Sequence, residues 1–301
     1  MIIRNIDLTG NGIAIRLHKP VLDEFPYINT KFVRLPDKQE INSQKPTSDL
    51  VIIGTPTYKH IQHLLYAINY YPYVLCEKPV GNSYAQLLSL KQEICNTNCA
   101  CFVNYQLRYL PIVSDMLTYS KENTVKSVSI KYRSNARMGN QFPEWYLDYK
   151  MGGGILYSLL SHIIDLINFL GFGIVDNFEF EYKKKLSPIP MNEISIHGNA
   201  VSGVPIEISI DTKKDYDQFI IELSGDNTKK NYDFIGNCTV GNGLCQYKNG
   251  ALSSKNASPW RLGFRMLISA LLNSAKESNL ATIDDAIKVH YVLSYIISNC
   301  I

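Results

Sequence analysis

The first 120 residues alternate short apolar runs with stretches whose apolar residues recur every three to four positions. Residues 49–54 and 73–76 are almost continuously apolar, which is typical of parallel strands buried on both faces. Between them, Ile61, Leu64, Leu65 and Ile68 have the spacing of one face of an amphipathic helix. Further strands are predicted at residues 2–8, 30–35 and 101–104. This alternation predicts an α/β fold with an N-terminal doubly wound parallel sheet of the Rossmann type.

Beyond residue 125 the apolar period changes to two. Residues 125–134, 175–184, 191–200, 204–211 and 218–225 alternate polar and apolar side chains, which predicts antiparallel strands with one wet face. Two helices are predicted to end the chain, the second with Thr282 as N-cap and Asp285 in its first turn. We therefore predict a dinucleotide-binding domain over 1–120. A substrate-binding and oligomerisation α+β domain with an open, mainly antiparallel sheet should cover 121–301, and its C-terminal helix is free to pack back on the first domain.

Composition narrows the function classes. Hydrophobic residues make up 46% of the 301 residues, and the formal net charge is only +3, which argues against nucleic acid or anionic lipid as a partner. The seven cysteines show no metal-ligand spacing, so we expect reduced thiols, a cytoplasmic protein and no metal site. The sequence has neither an apolar run of about 18 residues nor the apolar core of a signal peptide, and predicts a soluble protein without a membrane partner.

A glycine turn follows the first predicted strand. Gly10 and Gly12 fit the first two positions of the dinucleotide-binding pattern GxGxxG, but Ile15 takes the third. On the motif alone, an ordinary strand–helix turn is an equally good interpretation. No carboxylate occupies the position expected to bind the ribose of NAD. Arg34 lies near that position and favours the 2′-phosphate of NADP, unless it is an ordinary surface arginine.

A lysine follows the strand at residues 73–76, in the sequence Cys76-Glu77-Lys78-Pro79. The carboxyl end of a strand is where ligands bind in a doubly wound sheet. Pro79 restricts the backbone of Lys78 to an extended conformation, so its ammonium is aimed in one direction. A lysine held in this way can donate a proton or orient a hydroxyl group. The alternative is a solvated loop lysine.

Three glycines at 152–154 precede an apolar helix that carries Ser158, His162 and Asp165. Spacings of i, i+4 and i+7 place these polar residues on one face, and the glycines allow the backbone to pass close to a cofactor or substrate. A histidine suits proton transfer near neutral pH. The alternative is a histidine buried in a domain interface.

The sequence resembles the glucose–fructose oxidoreductase / inositol dehydrogenase / MocA (Gfo/Idh/MocA) family. The matching stretches, in order, are DLVIIGTPTYKHIQHLLYAI, YVLCEKPVG, NYQLRYLP, PEWYLD, GGGILYSLLSHIID and ATIDDAIKVHYVLSYI. The resemblance implies a Rossmann domain followed by an α/β domain whose open sheet forms homodimers or homotetramers. It also implies hydride transfer between NAD or NADP and the carbinol of a sugar, cyclitol or nucleotide-linked sugar.

The resemblance also implies site residues. Lys78 and His162 become the catalytic pair, and the Lys78–Pro79 peptide is often cis in the family. The cofactor-binding residues it implies, together with Arg34, are Gly10, Gly12, Ile13, Thr55, Pro56, His60, Glu77 and Lys78. The residues expected at the substrate are Tyr105, Arg108, Trp145, Ser158 and Asp165, with Asp165 supporting His162.

The sequence departs from the family at two positions of this helix. Many relatives carry an aspartate where this chain has Ser158, and a glycine where it has Leu160. A serine donates and accepts a hydrogen bond but cannot act as a carboxylate base. The alternative function is therefore a non-catalytic ligand-binding or regulatory relative that keeps the fold, whereas the retained Lys78 and His162 favour an enzyme.

Overall fold

A computed structural model describes residues 3–36, 46–134, 142–173, 179–181, 193–235, 238–240, 243–245, 259–273 and 279–300. Its first sheet has five parallel strands in the order β2-β1-β3-β4-β5. Their bounds are β1 Asn5–Thr9, β2 Asn29–Phe32, β3 Leu50–Ile53, β4 Tyr73–Cys76 and β5 Ala100–Val103. β2 lies on one side of β1, and β3, β4 and β5 follow on the other side. The topological switch point therefore lies between β1 and β3. The predicted doubly wound parallel sheet is confirmed.

Helical segments connect these strands. A π-helical turn over Ala14–His18 runs directly into α1, Lys19–Leu22, and α2 covers Thr57–Ala67. The other segments are α3 Tyr84–Cys95, a 3₁₀ turn at Gln106–Tyr109 and α4 Pro111–Glu122. Ser83 is the N-cap of α3, but its side chain makes no capping hydrogen bond.

The second sheet has six strands in the order β11-β10-β6-β9-β8-β7. Their bounds are β6 Ser127–Arg133, β7 Glu179–Glu181, β8 Glu193–Asn199, β9 Pro205–Asp211, β10 Gln218–Ser224 and β11 Lys229–Asp233. Of the strand predicted at 175–184, only 179–181 lie within the described residues. β6 and β9 pair in parallel, while the other pairs are antiparallel. The sheet is thus mixed, because the chain crosses over between β6 and β9. A short hairpin, β12 Cys238–Val240 and β13 Gly243–Cys245, follows it.

One face of the second sheet is covered by the helix predicted after the glycines. Its first turn, Leu156–Leu160, is π-helical and continues into α6, Ser161–Phe169. A short helix α5, Glu144–Leu147, and a 3₁₀ turn at Tyr149–Met151 precede the glycines. Apolar residues of α6 and of the strands form one buried cluster. The opposite face carries polar side chains that include Ser129, Lys131, Glu207 and Ser209.

Two C-terminal helices return to the first sheet. They are α7, Pro259–Asn273, and α8, Ile283–Cys300. Phe264 and Leu267 of α7 are buried in one cluster with Leu8 and Ile52 of the first sheet. The carboxylate of Asp285 accepts a hydrogen bond from the backbone N–H of Thr282 at 2.9 Å, as the predicted capping arrangement requires. The chain therefore passes from the first sheet to the second and back again.

Candidate functional site

Two loops meet at the switch point of the first sheet. Gly10, directly after β1, has φ +105°, and a Cβ atom there would lie 2.2 Å from the carbonyl oxygen of Gly54. Gly54 follows β3, so only a glycine at position 10 lets the two loops approach this closely. A Cβ on Gly12 would meet no atom within 4 Å and would point into open space. The glycine turn thus leaves a free space before the helix that begins at Ala14, as the pyrophosphate of a dinucleotide requires.

A cavity of about 250 Å³ lies beside this turn. Its lining combines residues from the connections that follow strands of the first sheet with residues that precede or follow the three glycines. From the first group the lining includes Ile13, Leu17, Glu77, Lys78 and Gln106, and from the second group Phe142, Tyr146, Ser158, Leu159 and His162; Trp260 of α7 also contributes. The cavity therefore brings together the predicted catalytic pair and one residue of the glycine turn. An NAD-type cofactor fits this arrangement.

Lys78 projects across the cavity. Its Nζ donates a hydrogen bond to the backbone carbonyl of Ser158 at 2.5 Å. The Lys78–Pro79 peptide is cis, as the resemblance implied. Burial lowers the pKa of Lys78 to about 8, although the negative charge of Glu77 acts in the opposite direction. The ammonium can therefore lose its proton much closer to neutral pH than a solvated lysine can.

Glu77 is held by a buried hydrogen-bond network. Its carboxylate accepts hydrogen bonds from His18 Nε2 at 2.7 Å and from Asn104 Nδ2 at 2.6 Å. Burial by itself would raise the pKa of Glu77. The hydrogen bond and charge of His18, helped by Lys78 and Asn104, outweigh burial and lower it. The carboxylate is therefore ionised beside the ammonium of Lys78.

His18 is a site residue that the sequence interpretation missed. It lies in the π turn after the glycines, is fully buried, and stacks on Phe264 with ring centroids 4.5 Å apart. Its one sequence signal is its spacing, because Ala14, His18, Val21 and Leu22 form the buried side of the first helix. A histidine among such residues needs a buried partner, and Glu77 is that partner.

His162 lines the same cavity. Burial and then the positive charge of Lys78 lower its pKa well below the ordinary value. Its Nδ1 is buried and has no hydrogen-bond partner among the residues that the structure describes. The ring lies 5.1 Å from that of Trp260 and 6.0 Å from that of Tyr105, centroid to centroid. The imidazole is therefore neutral at pH 7 and has hydrogen-bonding capacity left for a ligand.

Tyr146 and Ser158 also line the cavity. Burial raises the pKa of Tyr146, an effect that Ser158 and the charge of Arg16 reduce only in part. Tyr146 was not predicted, although it directly follows Trp145, which was. No pattern in the sequence distinguishes the two aromatic residues.

Arg108 and Asp165 pair with each other outside the cavity. Arg108 Nε and Nη2 donate to the two carboxylate oxygens of Asp165 at 2.8 and 2.5 Å. Asp285 lies 3.4 Å from the same guanidinium, and the ring of Phe169 lies beneath it at 4.9 Å. Burial raises the pKa of Asp165 to about 6 despite the opposing effect of Arg108. Both carboxylate oxygens of Asp165 thus accept hydrogen bonds from Arg108. The predicted support of His162 by Asp165, and the substrate contacts predicted for Arg108 and Asp165, remain predictions.

The other predicted cofactor residues surround the loops after β2 and β3. The ring nitrogens of His60 lie 2.8 Å from the carbonyl of Thr55 and 2.7 Å from that of Pro79, so His60 joins the loops after β3 and β4. Pro56 is the N-cap of α2. Arg34 is exposed just beyond β2. Their contacts with a cofactor stay predictions.

Tyr105 and Trp145 lie close to the cavity without being among its lining residues. Tyr105 is completely buried, and the ring of Trp145 contacts those of Tyr58 and Tyr146. Their predicted contacts with substrate likewise stay predictions.

The three glycines at 152–154 are required by the protein's own packing. A Cβ on Gly152 would lie 2.3 Å from Thr57 Cγ2, and one on Gly153 would lie 2.4 Å from the carbonyl oxygen of Tyr146. Gly152 and Gly154 also have positive φ. Two of the close approaches expected for this segment are therefore made to other parts of the chain, and only Gly154 faces open space.

The part of the chain that the structure describes contains neither a metal site nor a membrane-spanning helix. Within it, no group of three or more His, Cys, Asp or Glu residues has an arrangement suited to a metal ion. Nor does any helix in it combine the length and apolarity needed to cross a membrane.

Comparison with known proteins bears on the family and on the fold. Residues 24–105 match the family model described as the oxidoreductase family with an NAD-binding Rossmann fold. Glucose-6-phosphate 3-dehydrogenase of Bacillus subtilis (strain 168) is 26% identical over 128 residues, which is 41% of this chain and 37% of that protein. The chain thus aligns with well under half the length of this curated relative.

Solved structures share the fold over almost the whole chain. A myo-inositol dehydrogenase from Corynebacterium glutamicum has a TM-score of 0.76 at 17% identity, with 99% of this chain and 97% of that chain covered. A super-repressor mutant of Gal80p from Saccharomyces cerevisiae has a TM-score of 0.79 at 12% identity, covering 98% and 95%. At these identities the solved structures show the shared fold alone, a Rossmann domain followed by a domain with a mixed sheet. The resemblance to the Gfo/Idh/MocA family is confirmed by the family model over residues 24–105.

Proposed function

We propose that the protein is an NAD(P)-dependent oxidoreductase that interconverts a carbinol and a carbonyl on a sugar, cyclitol or nucleotide-linked sugar. One observation carries the proposal: Lys78 and His162 line the same cavity as Ile13 of the glycine turn. Bound along the turn, NAD(P) would supply or accept the hydride. The free space in front of Gly12 and the unpartnered Nδ1 of His162 support a ligand at this position.

Lys78 is the proton carrier in this proposal. In the direction of reduction, its ammonium gives a proton to the alkoxide oxygen that develops on the substrate, and in oxidation its amine takes the proton back. A pKa of about 8 suits both directions near neutral pH. His162, neutral because of its burial, orients the same oxygen by a hydrogen bond. Glu77, fixed by His18 and Asn104, holds the charge of Lys78 in place.

Two further features are proposed with this activity. Arg34, exposed beyond β2, favours NADP over NAD if it contacts a 2′-phosphate. The open polar face of the second sheet is proposed to form a homodimer or homotetramer, as the family resemblance implies.

Cofactor binding gives the first test. The protein is titrated with NADH and with NADPH, and the fluorescence of the reduced nicotinamide is followed. We expect one of them to bind, and we expect Gly12→Ala to weaken it at least about tenfold, because the added Cβ fills the space in front of the turn. Gly203→Ala, in a turn of the second sheet with positive φ and open space around it, is the control and should bind normally. A folded protein that binds neither nucleotide would refute the proposal.

Turnover gives the second test. Sugars and cyclitols are screened for reduction of NAD(P)⁺, and Lys78→Ala is compared with wild type on the substrate found. We expect turnover to fall by about 10²–10⁴-fold, the usual contribution of a positioned acid or base. Turnover within a few-fold of wild type would exclude Lys78 as the proton carrier.

One observation favours a second candidate, a non-catalytic regulatory relative. Ser158 stands where the family resemblance expects a carboxylate, and the fold is also that of the Gal80p super-repressor mutant. That likeness concerns the fold alone. Nucleotide binding without turnover on the whole panel would favour this candidate.

A further inference from the structure

Two aromatic residues of α7 contact the two histidines described at the site. Trp260 and Phe264 are one turn apart and therefore lie on one face of the helix. The indole of Trp260 lies 5.1 Å from the imidazole of His162, centroid to centroid, with the two planes tilted by 42°. Phe264 stacks on His18 with centroids 4.5 Å apart and planes 25° from parallel. One helix face thus contacts a histidine beside each sheet.

This end of α7 is fixed to connections of the first sheet. The carboxylate of Glu24, just beyond α1, accepts hydrogen bonds from Arg261 Nη2 and Arg265 Nε, both at 2.7 Å. A Cβ on Gly263 would lie 2.6 Å from the backbone carbonyl oxygen of Gln106, so α7 packs on the 3₁₀ turn at a distance that only glycine permits. The first turns of α7 therefore have a fixed place relative to the first sheet.

The proposed catalytic pair is divided between elements of the two sheets. Lys78 follows β4 of the first sheet, whereas His162 lies in α6, which packs on the second sheet. Both groups must reach the same substrate oxygen, and a displacement of about 1 Å can cost about 100-fold in rate. Trp260 lines the cavity with both of them and belongs to a helix fixed to the side of Lys78. Its ring contact with His162 therefore joins the two halves of the pair.

The imidazole of His162 is oriented by ring contacts. Its Nδ1 is buried and has no hydrogen-bond partner within the described part of the chain, whereas the rings of Trp260 and Tyr105 lie 5.1 and 6.0 Å away. Burial and then the charge of Lys78 lower its pKa. The ionisable groups that line the cavity with it or contact its ring are Glu77, Lys78, Tyr105, Tyr132 and Tyr146. A smaller side chain at position 260 would admit water beside the imidazole and favour its charged form.

We propose that Trp260 is a positioning residue for His162, which it holds at a fixed distance from Lys78 and shields from water. Phe264 supports the other half of the pair, because His18 bonds to Glu77 beside Lys78. One face of α7 therefore aligns both members of the pair. This inference rests on the proposed oxidoreductase function.

The test follows the protonation of His162 by nuclear magnetic resonance in protein labelled with ¹⁵N at the histidine rings. Wild type, Trp260→Ala and Trp260→Phe are titrated from about pH 8 to about pH 5, and the signal missing in His162→Gln assigns the resonance. Leu272→Ala is the matched control, a large-to-small change at a partly buried residue of the same helix, about 18 Å along it. Circular dichroism checks that every variant is folded over this pH range.

We expect the imidazole of His162 to stay neutral to about pH 5 in wild type, Trp260→Phe and Leu272→Ala, and to titrate with a midpoint above about pH 5.5 in Trp260→Ala. On the substrate found by screening, kcat of Trp260→Ala should fall at least about tenfold, and Trp260→Phe should restore most of it. A His162 that titrates alike in Trp260→Ala and wild type would overturn the inference, as would the same change in Leu272→Ala. The titration needs no nucleotide, so failure of NADH and NADPH to bind would refute the proposed function separately.

Discussion

Replacing Lys78 by methionine should make the protein more stable at neutral pH while removing its proposed activity. Burial lowers the pKa of Lys78 from 10.5 to about 8. Since one pKa unit corresponds to about 1.4 kcal/mol, the charged lysine costs the folded state about 3 kcal/mol at pH 7. Methionine has a similar length and no charge. It loses the hydrogen bond from the charged ammonium to the Ser158 carbonyl, which is worth about 2 kcal/mol. The expected net gain is about 1 kcal/mol.

The gain should depend on pH with a definite sign. Below pH 8 Lys78 is charged in both the folded and the unfolded state, so the whole cost is present. Between pH 8 and pH 10.5 the folded protein loses the proton first, and wild type gains stability relative to the variant. The advantage of Lys78→Met should therefore shrink above pH 8, be gone at about pH 9, and be reversed at pH 10.

Urea unfolding at pH 7, 8.5 and 10 measures this difference. Lys126→Met is a suitable control, because Lys126 is exposed and forms only a surface ion pair with Asp226 at 3.5 Å. That control should change the free energy of unfolding by no more than about 0.5 kcal/mol. A Lys78→Met variant less stable than wild type at pH 7, or one whose difference from wild type is the same at all three pH values, would refute the lowered pKa.

Two more predictions concern groups that frame the site. Gly10→Ala should lower the free energy of unfolding by more than about 2 kcal/mol, as measured by urea unfolding. The added Cβ would lie 2.2 Å from the Gly54 carbonyl oxygen, and φ at this position is +105°. An alanine variant as stable as wild type would show that the two loops can separate freely. Arg108→Met should cost about 3–5 kcal/mol at pH 7, since it leaves the buried Asp165 carboxylate unpaired. The double variant Arg108→Met/Asp165→Leu should recover much of that loss, and equal losses in the single and double variants would contradict the argument.

The order of elements in the first part was predictable from sequence because each buried parallel strand is a distinct apolar run. Residues 73–76 were predicted as a strand and form β4 with those bounds. The second sheet was harder to predict. An alternating pattern shows which face of a strand is wet, but it does not give the direction of the neighbouring strand. The parallel pairing of β6 with β9 therefore had no signal in the sequence.

The site residues show a similar limit. Lys78 and His162 stand in recognisable stretches, and the structure brings them to one cavity. The predicted shared face of Ser158, His162 and Asp165 assumed a regular α-helix. The π turn at Leu156–Leu160 changes the spacing of Ser158 relative to the other two residues. The partner of Asp165 is Arg108, and the sequence pattern does not reveal that pair. His18 pairs with Glu77, which is distant in sequence, and such a pair becomes visible only in the folded chain.

The return of α7 to the first sheet has a consequence for how the protein is made. Phe264 and Leu267 complete a cluster with Leu8 and Ile52, yet α7 is synthesised after the whole second sheet. During translation the part of the first sheet that α7 covers remains exposed to solvent until Phe264 and Leu267 have been synthesised. Folding on the ribosome therefore cannot finish one sheet at a time from the N-terminus. The first sheet depends on α7 to complete its core. We expect the nascent protein to be most prone to aggregate after the first sheet has formed and before α7 has been synthesised.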